Sequence, residues 1–194
     1  MFPTLVVLAA LSTSPQPKAV VITPDVAAKL QEIAFQAARE GDLDTLREYF
    51  AAGRPVNETN KRGDTLLIVA AYNGQPKAVA LILKQTKVEI DARNKMGLTA
   101  LSAAAFKGEV NIAKALVEAK ADVNAASESG QTALMFAALA GREKMVEYLL
   151  TAGADPKAMD KAGNTPLTLA KGQGAEGVQK LLQDASQAPT KSGK

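Results

Sequence analysis

A short signature returns along this chain at a nearly constant interval. Gly63-Asp64-Thr65-Leu66-Leu67, Gly97-Leu98-Thr99-Ala100-Leu101, Gly130-Gln131-Thr132-Ala133-Leu134 and Gly163-Asn164-Thr165-Pro166-Leu167 follow one another at steps of 34, 33 and 33 residues. A period in this range marks stacked supersecondary units, none of which can bury its apolar face alone. A second glycine series, Gly41, Gly74, Gly108, Gly141 and Gly174, runs in phase with the first and adds one unit on the N-terminal side. The sequence therefore reads as five units, about 24–57, 58–91, 92–124, 125–157 and 158–185, in a repeat domain spanning 21–185.

Each recurring position has a physical reason. The glycine two residues before each Thr suits a turn with positive φ, and the Thr is placed to N-cap a helix by accepting a backbone N–H bond. Pro166 directly follows Thr165, where a helix best tolerates proline. The second glycine comes nine residues after the Thr, so the first helix of each unit that carries the Thr is expected to be about two turns long and to end at a glycine cap. Its alanine pairs, Ala70-Ala71, Ala104-Ala105 and Ala137-Ala138, allow close helix packing. A second helix follows with apolar stripes at helical spacing: Val79, Ile82 and Leu83; Ile112, Leu116 and Val117; Met145, Val146, Leu149 and Leu150. These are expected core residues.

Taken together, G-x-T-x-L-x-x-A-A, the later G and V-x-x-L-L, and loop segments such as Gly153-Ala154-Asp155 and Ala121-Asp122-Val123-Asn124 resemble the ankyrin repeat over residues 24–185. The resemblance implies an all-α solenoid of about five helix-turn-helix repeats, an L-shaped stack with loops projecting from one side as a row of fingers. The sequence departs from the family pattern in places. Ile68, Ser102, Met135 and Thr168 stand where the family usually has histidine, and Lys120 stands where it has glycine. One extra residue between Lys84 and Ile90 is expected to displace the finger that follows. At the ends, Thr23-Pro24-Asp25 reads as a helix start, and the polar Lys171, Gln173, Gln179, Lys180 and Gln183 read as the outer face of a terminal cap.

Composition narrows the function. The 194 residues carry a formal charge of only +3 and contain neither cysteine nor histidine. Disulfides, thiolate metal sites and cysteine nucleophiles are thereby excluded, as are the commonest general base and the commonest transition-metal ligand. The reading is a non-enzyme without cofactor or metal. Nucleic acid is a poor fit, because Glu58, Asp64, Asp91, Glu128, Asp155 and Asp160 offset the basic finger residues, whereas phosphate tracking needs a dense Lys/Arg stripe. Asp122 and Asp155 hold a repeated loop position and read as loop hydrogen-bonding groups rather than catalytic carboxylates.

The candidate site is the concave surface formed by finger tips and the exposed side of the first helices. Tyr72, Phe106 and Leu139 recur two residues before the second glycines, and such a row of large apolar side chains marks an interface. Phe106, at the centre, is the best single anchor. Lys61, Arg62, Arg93, Lys95 and Met96 occupy finger positions and give the N-terminal half a basic tint. The expected partner is another protein, bound by a monomeric chain. A small-molecule binder or enzyme using groove carboxylates is the alternative from a different class.

Residues 1–20 are expected to be a signal peptide and short linker, because Leu5-Val6-Val7-Leu8-Ala9-Ala10-Leu11 is an apolar run too short to span a bilayer and is followed by small residues. No basic residue precedes it, so an ordinary apolar tail or a start further upstream stays open, with a cytoplasmic location in that case. No other stretch could cross a membrane. Residues 186–194 read as a disordered polar tail. Exported bacterial proteins that resemble this chain suggest a periplasmic helper that protects or inhibits an enzyme, for instance a peroxide-detoxifying one. A secreted effector acting on a host protein is the other reading.

Overall fold

The structure, a computed structural model, describes residues 23–187. Ten α-helices follow one another among the described residues: α1 (Pro24–Glu40), α2 (Leu43–Ala51), α3 (Leu66–Tyr72), α4 (Pro76–Leu83), α5 (Ala100–Lys107), α6 (Val110–Glu118), α7 (Ala133–Leu139), α8 (Glu143–Thr151), α9 (Pro166–Gly172) and α10 (Glu176–Gln187). They form five antiparallel pairs stacked side by side, with odd-numbered helices in one layer and even-numbered helices in the other. An isolated antiparallel bridge between Thr59 and Thr65 is the β-like pairing at the first finger.

The repeated threonines start the inner helices as expected. Thr65, Thr99, Thr132 and Thr165 sit in extended backbone, and each hydroxyl accepts a bond from the N–H three residues on, at 3.2, 3.2, 3.4 and 3.2 Å. Ser102 and Thr168 close the cap reciprocally, accepting from the Thr99 and Thr165 N–H groups at 2.8 Å in both units. These two residues occupy the register where the family carries histidine, so a short hydroxyl there completes a capping box.

Side-chain size sets the shape of the stack. Ala70, Ala71, Ala104, Ala105, Ala137 and Ala138 are fully buried and let successive inner helices come close together. The inner helices also bury Leu66, Leu67, Leu101, Leu134 and Met135, whereas the outer helices have no such alanine pairs and bury Val79, Ile82, Ile112, Leu116, Met145 and Leu149, with successive outer helices standing further apart. A tight layer joined to a loose one bends the stack toward the tight side, which becomes the concave face. Each fully buried Leu or Ile contributes about 2 kcal/mol, and the core runs without interruption from Phe35 and Leu46 to Val178 and Leu182.

Helix α1 starts at the Thr23 cap as expected and, with no glycine before Gly41, runs for 17 residues. Its additional length lies against the first finger, where Gln31 Nε2 donates to the Thr59 carbonyl at 3.1 Å. Two expectations need correction. At the other end, Ser186 and Gln187 belong to α10 rather than to a tail, and the Ser186 hydroxyl donates to the Leu182 carbonyl at 2.7 Å. The apolar run at Leu5–Leu11 and residues 188–194 lie outside the described residues.

The second correction concerns the extra residue, which does not displace the finger. It is taken up between the end of α4 and Lys87, where Gln85 Nε2 donates back to the Leu81 carbonyl at 3.0 Å. From Lys87 onward the register is restored: Gly53, Lys87, Lys120 and Gly153 all adopt positive φ, between 63° and 94°. The finger beyond still meets its neighbour, with the Lys95 N–H donating to the Arg62 carbonyl at 3.1 Å.

Candidate interaction surface

The fingers are rigid because a short polar side chain fastens each one internally. Asn60 Oδ1 accepts from the N–H groups of Arg62 and Asp64 at 2.8 and 3.0 Å, and Asn94 Oδ1 accepts from Met96 and Leu98 at 2.9 Å each. Ser127 Oγ accepts from Gln131 N–H at 3.1 Å, and Asp160 Oδ1 accepts from Ala162 and Asn164 at 2.9 and 2.8 Å. These are Asx-type turns, which fix a loop without help from distant residues. The bonds from Asn164, first its side chain and then its backbone, hold the Asp160 carboxyl below the usual carboxylate range.

Fingers are also joined to one another. Buried Asp64 accepts from Asn94 Nδ2 at 2.7 Å and from Asn60 Nδ2 at 3.1 Å, with Arg62 Nε at 3.4 Å. A parallel set of bonds crosses the unit boundaries behind the fingers. Asn57 Oδ1 accepts from Glu89 N–H at 2.9 Å, Asp91 from Asp122 N–H at 3.1 Å, and Asn124 Oδ1 from Asp155 N–H at 2.9 Å. Asp122 and Asp155 themselves accept from the N–H groups of Asn124 and Lys157 at 2.9 and 2.8 Å, the loop role expected of them.

Against this frame lies a groove of about 350 Å³ on the concave face, crossing four units from Arg39 to Phe136. Tyr72, Phe106 and Met96 line it and are 43%, 38% and 59% exposed. Phe136, Leu98, Ile68 and Val69 complete its apolar walls, and Arg39 and Arg62 stand at its N-terminal end. The row residues are held from the next unit. Gln75 Nε2 donates to the Arg39 carbonyl and Arg142 Nε to the Phe106 carbonyl, each at 3.1 Å, and Lys107 Nζ lies 5.2 Å from the centre of the Tyr72 ring. A cation over a ring face steadies that ring.

Of the residues singled out from sequence, the groove brings together Tyr72, Phe106, Met96 and Arg62. Lys61, Arg93 and Lys95 are exposed on the fingers outside its lining, and Leu139 is half-buried and does not reach it. Sequence reasoning missed Arg39 and Phe136. A signal for Arg39 was present, since it stands two residues before Gly41 and so begins the row continued by Tyr72 and Phe106. Phe136 lies four residues after Thr132, at the register of Val69 and Ala103, and lines the groove together with both.

The groove offers little to a reaction. Its Asp64 carboxylate is enclosed by Asn60, Asn94 and Arg62, and no group of three or more metal-ligating side chains occurs among the described residues. Elsewhere, burial first and the Glu58 carboxylate second push the Tyr49 hydroxyl up to about 12. Tyr49 donates to Glu58 at 2.8 Å, and Arg54 meets the same carboxylate at 3.0 Å, a link tying α2 to the first finger. No helix among the described residues is long and apolar enough to cross a membrane.

Two family models match the chain: ankyrin repeats in three copies over residues 34–127, and ankyrin repeats in many copies over residues 116–170. Among curated proteins, the chain is 29% identical over 82 residues to "Putative glutaminase 2" of Caenorhabditis elegans, covering 42% of this chain and 14% of that protein. It is 32% identical over 99 residues to alpha-latrocrustotoxin-Lt1a of Latrodectus tredecimguttatus, covering 50% of this chain and 7% of the toxin. The chain thus spans a small fraction of both relatives, and the stretches of this chain that they match are built of repeats. The paired helices, the threonine caps, the finger hairpins and the matches over 34–170 lead to one statement: the chain belongs to the ankyrin-repeat family, whose stacks are scaffolds for protein–protein interaction.

Proposed function

We propose that this chain is a non-catalytic scaffold that recognises a partner protein through its concave face, with the groove between Arg39 and Phe136 as the contact. The observation that carries this reading is the exposure of Tyr72, Phe106 and Met96 side by side on a surface whose backbone is fixed by finger and inter-unit bonds. Large apolar side chains held in water represent a solvation cost that a partner relieves, and preorganised anchors lose little entropy on binding. Residues of this kind carry a disproportionate share of binding energy.

The proposal extends to setting. The apolar run Leu5–Leu11 supports export, and an exported scaffold without catalytic machinery fits a periplasmic helper that protects or inhibits an enzyme. Cell fractionation that finds the full-length chain retained in the cytoplasm removes that part of the reading.

Photo-crosslinking tests the face itself. A photoreactive amino acid placed at Phe106 or Tyr72 is expected to yield a discrete adduct with the native partner, whereas the same group at exposed Lys114 or Glu147 on the outer helices yields none. Adducts formed only from the outer positions would overturn the assignment.

A further inference from the structure

We infer that the groove takes a short linear segment of its partner that pairs a large apolar side chain with neighbouring acidic residues, the acids lying toward the first unit. The inference rests on the concave-face reading and names the chemistry of what binds there.

The polar groups of the groove's floor are engaged within the chain: Asn60 and Asn94 fasten their fingers, Asp64 is bonded by both, Asn73 Nδ2 donates to the Val69 carbonyl at 2.8 Å, and the Ser102 hydroxyl donates to the Thr99 carbonyl at 2.9 Å. An incoming segment therefore meets apolar surface from Tyr72, Met96, Phe106 and Phe136, and two guanidiniums, Arg39 and Arg62. Neither guanidinium is neutralised in a buried pair. Arg62 is 72% exposed and meets Asp64 only at 3.4 Å through Nε, while Arg39 Nη1 donates to the neutral Gln36 at 2.7 Å. Glu40, the acid nearest to Arg39 in sequence, is turned to Gln36.

The charge is also graded along the stack. Fingertip residues two before each glycine are Lys61, Lys95, Glu128 and Lys161, and those one before are Arg62, Met96, Ser129 and Ala162. With Arg39 and Arg93, the cations gather beside the first three units, where Glu58 is taken up by Tyr49 and Arg54, Asp64 by Asn60 and Asn94, and Asp91 by the Asp122 N–H, while Phe106 and Phe136 lie in the third and fourth. Charge complementarity then places carboxylates at the N-terminal end and the apolar anchor near the middle. Because the groove runs across four units and is open along its length, a linear segment fills it better than a compact ligand.

Selection of random linear peptides displayed on phage, with the full chain as bait, tests this directly. Enriched peptides are expected to combine a large apolar residue with nearby Asp or Glu. Their affinity should fall about thirtyfold with Phe106→Ala and about tenfold with Arg39→Glu and Arg62→Glu together, while the circular-dichroism spectra of these variants stay those of the folded helical stack. Peptides that need Phe106 but show no acidic preference and ignore the two charge reversals overturn the inference and leave the concave-face reading standing. Recovery of no peptide overturns the linear-segment claim, with the crosslinking experiment still deciding the face. Peptides indifferent to both Phe106→Ala and Tyr72→Ala bring down the two readings together.

Discussion

The inner and outer helix layers are built from the same number of helices yet solve opposite packing problems. Inner helices meet across alanine, with Ala104 and Ala105 fully buried, and come close; outer helices meet across Ile112, Leu116 and Leu149 and stand apart. The contrast ties curvature to side-chain volume at the positions where successive helices meet, with the binding face on the side where those positions hold alanine. The inner helices bury their large residues, Leu66, Leu67, Leu101, Leu134 and Met135, in the first turns, and present Tyr72 and Phe106 to solvent near their ends.

The largest effect should come from emptying the outer layer. Leu116→Ala removes a fully buried side chain and is expected to lower unfolding free energy by about 3 kcal/mol in urea melts. Filling the inner layer is the mirror test: Ala104→Leu forces bulk between closely packed helices and should cost about 2–3 kcal/mol. If Ala104→Leu proves neutral, the inner layer has slack and the account of curvature fails.

The inner spacing continues into the fingers, which gives a sharper probe. A Cβ at Gly97 would lie 2.7 Å from the Glu128 backbone nitrogen, whereas one at Gly163, in the last finger, meets nothing within 4 Å. Both have positive φ, so Gly163→Ala should cost about 1 kcal/mol for backbone strain alone and Gly97→Ala about twice that. Equal losses would mean that the fingers do not press on one another.

On the outer layer, Tyr49 predicts a pH effect. Its hydroxyl is raised from 10.0 to about 12 in the folded chain, so the folded state favours the protonated form. That contribution is fully present below pH 10 and is lost as pH rises through about 12. Urea midpoints should decline across this window, and Tyr49→Phe should flatten the decline. The smallest effect belongs to the groove's most exposed apolar residue: Met96→Ala, at a position 59% exposed, should change stability by no more than about 0.5 kcal/mol, measured by thermal unfolding, while partner binding weakens.

Much of this was legible in the sequence because the repeat restates itself. Thr65, Thr99, Thr132 and Thr165 named the helix starts, and the alanine pairs named the tight layer. Helix α1 was legible by a different route, from the Thr23-Pro24-Asp25 start and the in-phase Gly41, since the first unit has no Thr at the repeated register. Displacement of the finger after Lys84–Ile90 was expected from counting residues, but a count does not say where slack is absorbed. In the groove, Tyr72 and Phe106 were visible as a row, whereas Phe136 lines it together with Val69 and Ala103 of other units, a relation between neighbours that no single unit displays.

The turn after α4 has a practical consequence. Having accommodated one more residue than its counterparts without altering the loop beyond it, the Gln85–Thr86 segment acts as an expansion joint. A fluorophore or affinity handle spliced there would ride on the back of the molecule, decoupled from the gripping side, and would report on capture without taking part in it.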